Sequence, residues 1–339
     1  MDLSRCGIQP AAQPQDIMDY ITIDLVGMYE QCSMGRAQVD AKNSVVITVP
    51  FPCGGRSGML KDGTQFWTNS CKDNVVPWQV YAEEYVQKQN IDPLSFHHRV
   101  LVLPQNHTET IGSDCQFTAL ASLGRWDMAT SPGNDWGSGI VWICGDCWRM
   151  APTYLHELGH NYGLQHARSE VYPNVGNTND ITDAMGGWGG NDTRCYNAPH
   201  MWAMGWSSPE TVLTTLPVSV KQIDIQVQAS TGMTGMTGMT GISITVTPNT
   251  TIALSYRIQR GTYDRPFPQY MHMDAALAVH RTPSGVATTD TVLLGLLSSV
   301  GESWVDSVTL LQVTMHELRA DTVTVVICKR LHINTSCYK

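Results

Sequence analysis

The chain has 339 residues, 42% of them hydrophobic, which is enough to pack one or two domains. Its formal charge of −9 excludes the basic footprint expected of a nucleic-acid binder or of a face for anionic membranes. No apolar run reaches the ~20 residues that a membrane span needs, so none is expected.

From the N-terminus, Ile17, Ile21, Leu25, Met28 and Cys32 recur at spacings of three and four and predict an amphipathic helix over 16–32. The β-branched run Val45 to Val49 predicts a strand halted by Pro50. Pro77 near its start, with Trp78, Tyr81, Tyr85 and Val86 behind it, predicts a second helix over 74–90. A buried strand follows at 100–103, closed by Pro104. His97 and His98, just before it, are expected to be loop histidines, since adjacent side chains on an extended chain diverge. Two more strands are expected at 117–123 and 139–143, with a Pro-Gly-Asn loop between them.

The densest chemistry lies in the next helix, predicted over about 151–163 and started by Pro152. His156 and His160 are four residues apart and share one face, about 6 Å apart along the axis, where two imidazoles can grip one ion. Glu157 is rotated about 100° from His156, within reach of a water on that ion. Gly163 suits a sharp turn that brings His166 back as third ligand. Three neutral histidines leave a fourth position open, the layout of a catalytic zinc site. The spacing H-E-x-x-H-x-x-G-x-x-H resembles the metzincin signature, which also implies a methionine turn beneath the metal. Met185, in Asp183-Ala184-Met185-Gly186-Gly187, is expected to supply it.

Residues 174–183 and 186–190 have loop composition, and Pro199 to Trp206 is expected to form a short helix. After Trp206 the texture becomes β-rich, with strands expected at 220–227, 242–246, 252–258, 276–280, 292–297, 308–315 and 322–327. The Gly-Met-Thr repeat through Gly241 is a low-complexity loop. His316-Glu317-Leu318 copies the start of the zinc motif, but Ala320 replaces the second histidine and the region reads as strand, so it is expected to be a decoy. Ten spread-out cysteines predict disulfides of unspecified pairing, Cys144 and Cys147 included, and thus an oxidising compartment. Acceptor sequons at Asn106, Asn191, Asn249 and Asn334 favour secretion.

Together, the zinc motif, Gly163-Leu164-Gln165-His166-Ala167, Asp183-Ala184-Met185-Gly186, Cys195-Tyr196-Asn197-Ala198-Pro199 and Met204-Gly205-Trp206 resemble the gametolysins. Weaker similarity continues through Cys32, 52–55, Ser255-Tyr256-Arg257-Ile258 and 325–328. The resemblance implies a secreted zinc endopeptidase of the kind with which volvocine green algae digest hydroxyproline-rich wall glycoprotein. It implies Zn2+ as cofactor, held by His156, His160 and His166, and Glu157 as general base. It also implies an antiparallel edge strand for substrate at Ala119, Leu120, Ala121 and Ser122. Residues 1–6 resemble the end of the family's first strand, so a signal and pro-segment are expected to precede this form. The pattern departs from related metzincins at Gly187, where they carry a tyrosine. Tyr196 is expected to pack, with oxyanion stabilisation as its alternative role.

The expected fold is α+β. A metzincin-like catalytic domain over 1–206, with a twisted mixed sheet and the zinc-site helix, precedes an antiparallel β-sandwich-like domain over 207–339. The expected partner is a protein or glycoprotein substrate, with no nucleic acid, and the expected state is a monomer. A non-catalytic zinc-bearing wall-binding or adhesion module is the alternative reading.

Overall fold

The structure, a computed structural model, describes residues 1–171, 179–186, 193–217, 219–226, 241–259, 262–267, 271–284, 290–319, 321–332, 335 and 337. The fold is mixed α+β and forms two compact units, one from Met1–Gly27 with Val39–Gly163 and one from Met28–Gln38 with Leu164–Lys339. Among the described residues no helix is long and apolar enough to cross a membrane.

The predicted first helix exists as α1 (Pro14–Tyr20), a π-helical stretch (Ile21–Leu25) and α2 (Val26–Cys32). Pro14 occupies the first turn and Asp16 closes a capping box with Gln13, which fixes the start. Two short strands follow, β1 (Ser57–Met59) and β2 (Gln65–Trp67), paired antiparallel. Phe66 packs so closely against Gly58 that a Cβ there would lie 2.3 Å from the ring. α3 (Val75–Gln87) buries Trp78, whose indole N–H donates to the Trp67 carbonyl at 2.8 Å. A sheet of order β3-β5-β4 follows, built from β3 (His98–Val102), β4 (Ala119–Ala121) and β5 (Gly139–Ile143). β5 is central and buried at every position, as a continuous apolar run requires. It pairs parallel with β3 and antiparallel with β4, which leaves β4 at an edge. One short helix, α4 (His107–Thr110), separates β3 from β4. α5 (Ala151–Asn161) lies on β4 and β5. A core of Leu3, Phe51, Phe66, Trp78, Leu103, Ile140 and their neighbours holds this unit together.

In the other unit, β6 (Arg168–Ser169) joins the edge of a six-stranded sheet of order β6-β12-β11-β10-β9-β7. Its strands are β7 (Thr211–Leu213), β9 (Ile242–Thr247), β10 (Thr250–Ile258), β11 (Ala275–Pro283) and β12 (Val292–Leu297). A four-stranded sheet, β13-β14-β15-β8, is built from β8 (Lys221–Gln226), β13 (Ser303–Val305), β14 (Leu311–Leu318) and β15 (Thr322–Lys329). Alternating side chains of both sheets, among them Ile244, Leu254, Val279, Val313 and Val325, enter one hydrophobic core. α6 (Ala198–Ala203) packs against β10. The decoy His316-Glu317-Leu318 ends β14 at an irregularity in the strand pairing, all three residues exposed, so it presents no helical face. Ala320 lies outside the described residues, as do Asn191, Asn334, Gly187, the 187–190 part of the glycine loop and residues 231–240 of the Gly-Met-Thr repeat.

The strand expected at 45–49 does not form. The chain there makes only an isolated parallel bridge between Asp2 and Pro50, through Asp2 N–H to Val49 O and Phe51 N–H to Asp2 O. Pro50 cannot donate to a ladder, and Val45 is exposed, so the apolar run has too little partner to extend along. β1, β2, β7 and β13 lie outside the expected strands, because three residues with no longer apolar run around them carry no measurable alternation.

All ten cysteines pair, as Cys6–Cys53, Cys32–Cys195, Cys71–Cys115, Cys144–Cys147 and Cys328–Cys337.

Candidate metal centre

α5 begins at Ala151 with Pro152 in its first turn and ends at Asn161. Gly163 then takes φ +89°, a left-handed conformation that glycine adopts without steric cost, and its N–H caps the His160 carbonyl at 2.8 Å. Ligand atoms of His156, His160 and His166 lie within 4.8 Å of one another. The rings of His156 and His160 cross at 87° with centroids 4.9 Å apart, as two ligands converging on different corners of one ion would. Burial lowers the pKa of His166, which favours the neutral imidazole that a metal requires. This all-nitrogen donor set fits zinc, which takes three imidazoles and leaves a fourth position open. Glu157 is buried at 7% exposure, and burial pushes its pKa up to about 8.

Met185 is fully buried, and its carbonyl accepts the N–H of Ala167, the residue next to His166, at 2.9 Å. The segment is a tight turn. A Cβ at Gly186 would lie 1.7 Å from the Asp180 carbonyl oxygen, so only glycine fits there. Tyr196 is fully buried and stands edge-on to Trp206 with ring centroids 5.6 Å apart, a packing arrangement. Of the edge-strand candidates, Ala119, Leu120 and Ala121 form β4 and Ser122 follows it. Leu120 is 40% exposed. Asn106 and Asn249 are exposed, as a glycan acceptor must be.

Two polar networks near these residues have no counterpart in the motif reading. The first surrounds the methionine turn. Asp183 is fully buried and accepts hydrogen bonds from the N–H groups of Met185 and Asn197 and pairs with His200 Nδ1 at 2.9 Å. Asp180, also fully buried, accepts from Thr182 N–H and Oγ1 and pairs with His280 Nε2 at 2.9 Å. Asn197 Nδ2 bridges Asp180 and Thr291. Arg257, 1% exposed, donates to the Thr182 carbonyl and to Asp264, which in turn accepts the Cys195 N–H at 3.0 Å. No sequence signal marked them: Asp180 and Asp183 sit in a stretch of loop composition, yet both are fully buried.

The second network closes the C-terminal end of α5. Asn161 is fully buried, and its amide nitrogen donates to Ser122 O at 3.1 Å and Ile140 O at 3.2 Å. Its Oδ1 therefore faces His98 Nδ1, 3.0 Å away, which must carry the proton. His98 Nε2 is left as acceptor for the Tyr162 hydroxyl at 3.4 Å. His98 thus opens β3 with its ring engaged by the helix end, whereas the sequence placed it in a loop. Burial lowers the His98 pKa to about 4, so the ring stays neutral in this arrangement at ordinary pH.

The sequence pattern of the gametolysin peptidase M11 family matches residues 1–284. A 57-residue stretch is 40% identical to the autolysin of Chlamydomonas reinhardtii; it makes up 16% of this chain and 8% of that protein. No solved structure matches the chain.

Proposed function

The chain belongs to the gametolysin peptidase M11 family, and from that premise we propose that it is a secreted zinc endopeptidase that cleaves cell-wall or matrix glycoproteins rich in hydroxyproline. The observation that carries this reading is the convergence of His156, His160 and His166, with Glu157 on the same helix as His156 and His160. Zinc, when bound there, lowers the pKa of a coordinated water to roughly 7 and polarises a carbonyl. Glu157 takes the proton of the attacking water as general base and hands it to the leaving amine. Met185 supports the histidines from below. Ala119, Leu120, Ala121 and Ser122 bind the substrate as an added strand, using the open side of β4.

The architecture is accordingly that of a metzincin, with the catalytic region over 1–206 and a β-sandwich over 207–339. Five disulfides support an oxidising compartment. Asn106, Asn191, Asn249 and Asn334 are glycan acceptors, and the enzyme acts as a monomer. The autolysin similarity supports the wall as substrate. A wall-binding module would have no use for a buried carboxylate beside an open metal position, which is why the enzyme reading prevails.

The test compares zinc-loaded wild type with Glu157→Ala on hydroxyproline-rich wall glycoprotein and on casein. Zinc content should be equal, and the variant should lose about 10²–10⁴-fold in rate. Equal rates, or activity that survives chelation and dialysis, would defeat the proposal.

A further inference from the structure

The amide of Asn161 bonds to two strands of the sheet under α5 and to the residue that follows the third. It reaches β3 through His98, β5 through Ile140 and the end of β4 through Ser122. Ser122 is held from both sides: its N–H donates to Ile140 O at 3.0 Å, and its hydroxyl accepts from Asn161 Nδ2 at 3.2 Å. That hydroxyl donates to Gly124 O at 3.0 Å, while Gly124 N–H donates to the carbonyl of His160 at 2.7 Å. The backbone of a candidate ligand and the end of the edge strand are therefore parts of one closed hydrogen-bonded ring. Gly139 leaves room for it, since a Cβ there would lie 2.2 Å from Asn161 Cγ. An amide buried this completely, with donor and acceptor sides both used, has one orientation and little freedom to shift.

We propose that Asn161 is a positioning residue: it fixes the spacing between the helix that carries His156 and His160 and the edge strand β4. An extended peptide added to β4 is thereby presented to the three-histidine centre in one register. This rests on the peptidase reading above. Asn161 touches neither substrate nor metal in this role. It acts through Ser122 and the His160 backbone.

The test uses two hydroxamates on the zinc-loaded protein. Acetohydroxamate engages the centre alone, whereas a hydroxamate-capped extended pentapeptide engages the centre and the strand together. In Asn161→Ala, zinc content and acetohydroxamate affinity should stay within about twofold of wild type, while the peptidyl compound should weaken by about 10- to 100-fold, as a misplacement near 1 Å produces. His98→Phe, which removes only one side of the network, should move the same way by less, and it decides the matter if Asn161→Ala does not fold. Equal weakening of both compounds, or of neither, overturns the positioning role. If wild type binds neither hydroxamate, the metal-centre reading itself has failed, and the proposal goes with it.

Discussion

Replacing Asp183 tests whether the methionine turn is held by buried electrostatics. Its carboxylate accepts from Met185 N–H, Asn197 N–H and His200 Nδ1, all at zero exposure. In Asp183→Ala those groups lose their acceptor in a site that water does not reach. Each orphaned donor costs about 1–3 kcal/mol. The shared cavity lets the costs overlap, so about 3–5 kcal/mol is expected, as for other broken buried pairs. Against a typical stability of about 5–15 kcal/mol, this is a large fraction. Asp183→Asn keeps the oxygen that faces Met185 and should lose less. Urea unfolding of the zinc-loaded protein, followed by tryptophan fluorescence, gives both values. A midpoint for Asp183→Ala within about 0.5 kcal/mol of wild type, the range of an ordinary surface substitution, would refute the reasoning.

The other expectations concern acid stability, the longest cross-link and one glycine. Burial by itself raises the Asp180 pKa, but the charge and hydrogen bond of His280, with the Thr182 bonds, outweigh it and leave it below 3.8. A lowered carboxylate pKa stabilises the fold above 3.8, and that stability is lost as the pH falls through the folded value. His280→Gln should move the acid-unfolding midpoint to higher pH by circular dichroism, and coincident midpoints would count against the pair. Opening Cys32–Cys195, which closes a separation of 163 residues, should cost about 5 kcal/mol on a chain-entropy account. The double alanine variant should show this as a clear fall in Tm, and an unchanged Tm would reject it. Gly139→Ala forces a Cβ into Asn161 and should destabilise by about 1–3 kcal/mol, measured by denaturant unfolding. A neutral result there would mean that the helix end is looser than the hydrogen bonds imply.

The sequence disclosed what local spacing encodes. The helical separation of His156 and His160, the proline that starts α5 and the glycine that bends away from it are all short-range signals. Strands such as β12 were legible for the same reason, since apolar residues bounded by turn residues suffice. Long-range partnership was not. Asp180 meets His280 across 100 residues, and Asn161 meets His98 across 63. A polar residue in a loop-like stretch carries no mark of burial until its distant partner is known. The 45–49 segment failed in the opposite direction, because its composition promised a strand while topology supplied only the Asp2–Pro50 bridge.

The residues around the methionine turn come from far-apart places: 180 and 183 from the turn itself, 197 and 200 from the start of α6, 257 and 280 from the later sheet, and 291 from the residue before β12. A fragment cut after Trp206 would retain every histidine of the motif yet strip Asp180 and Asn197 of His280 and Thr291. Anyone engineering a minimal version should therefore carry the later strands along.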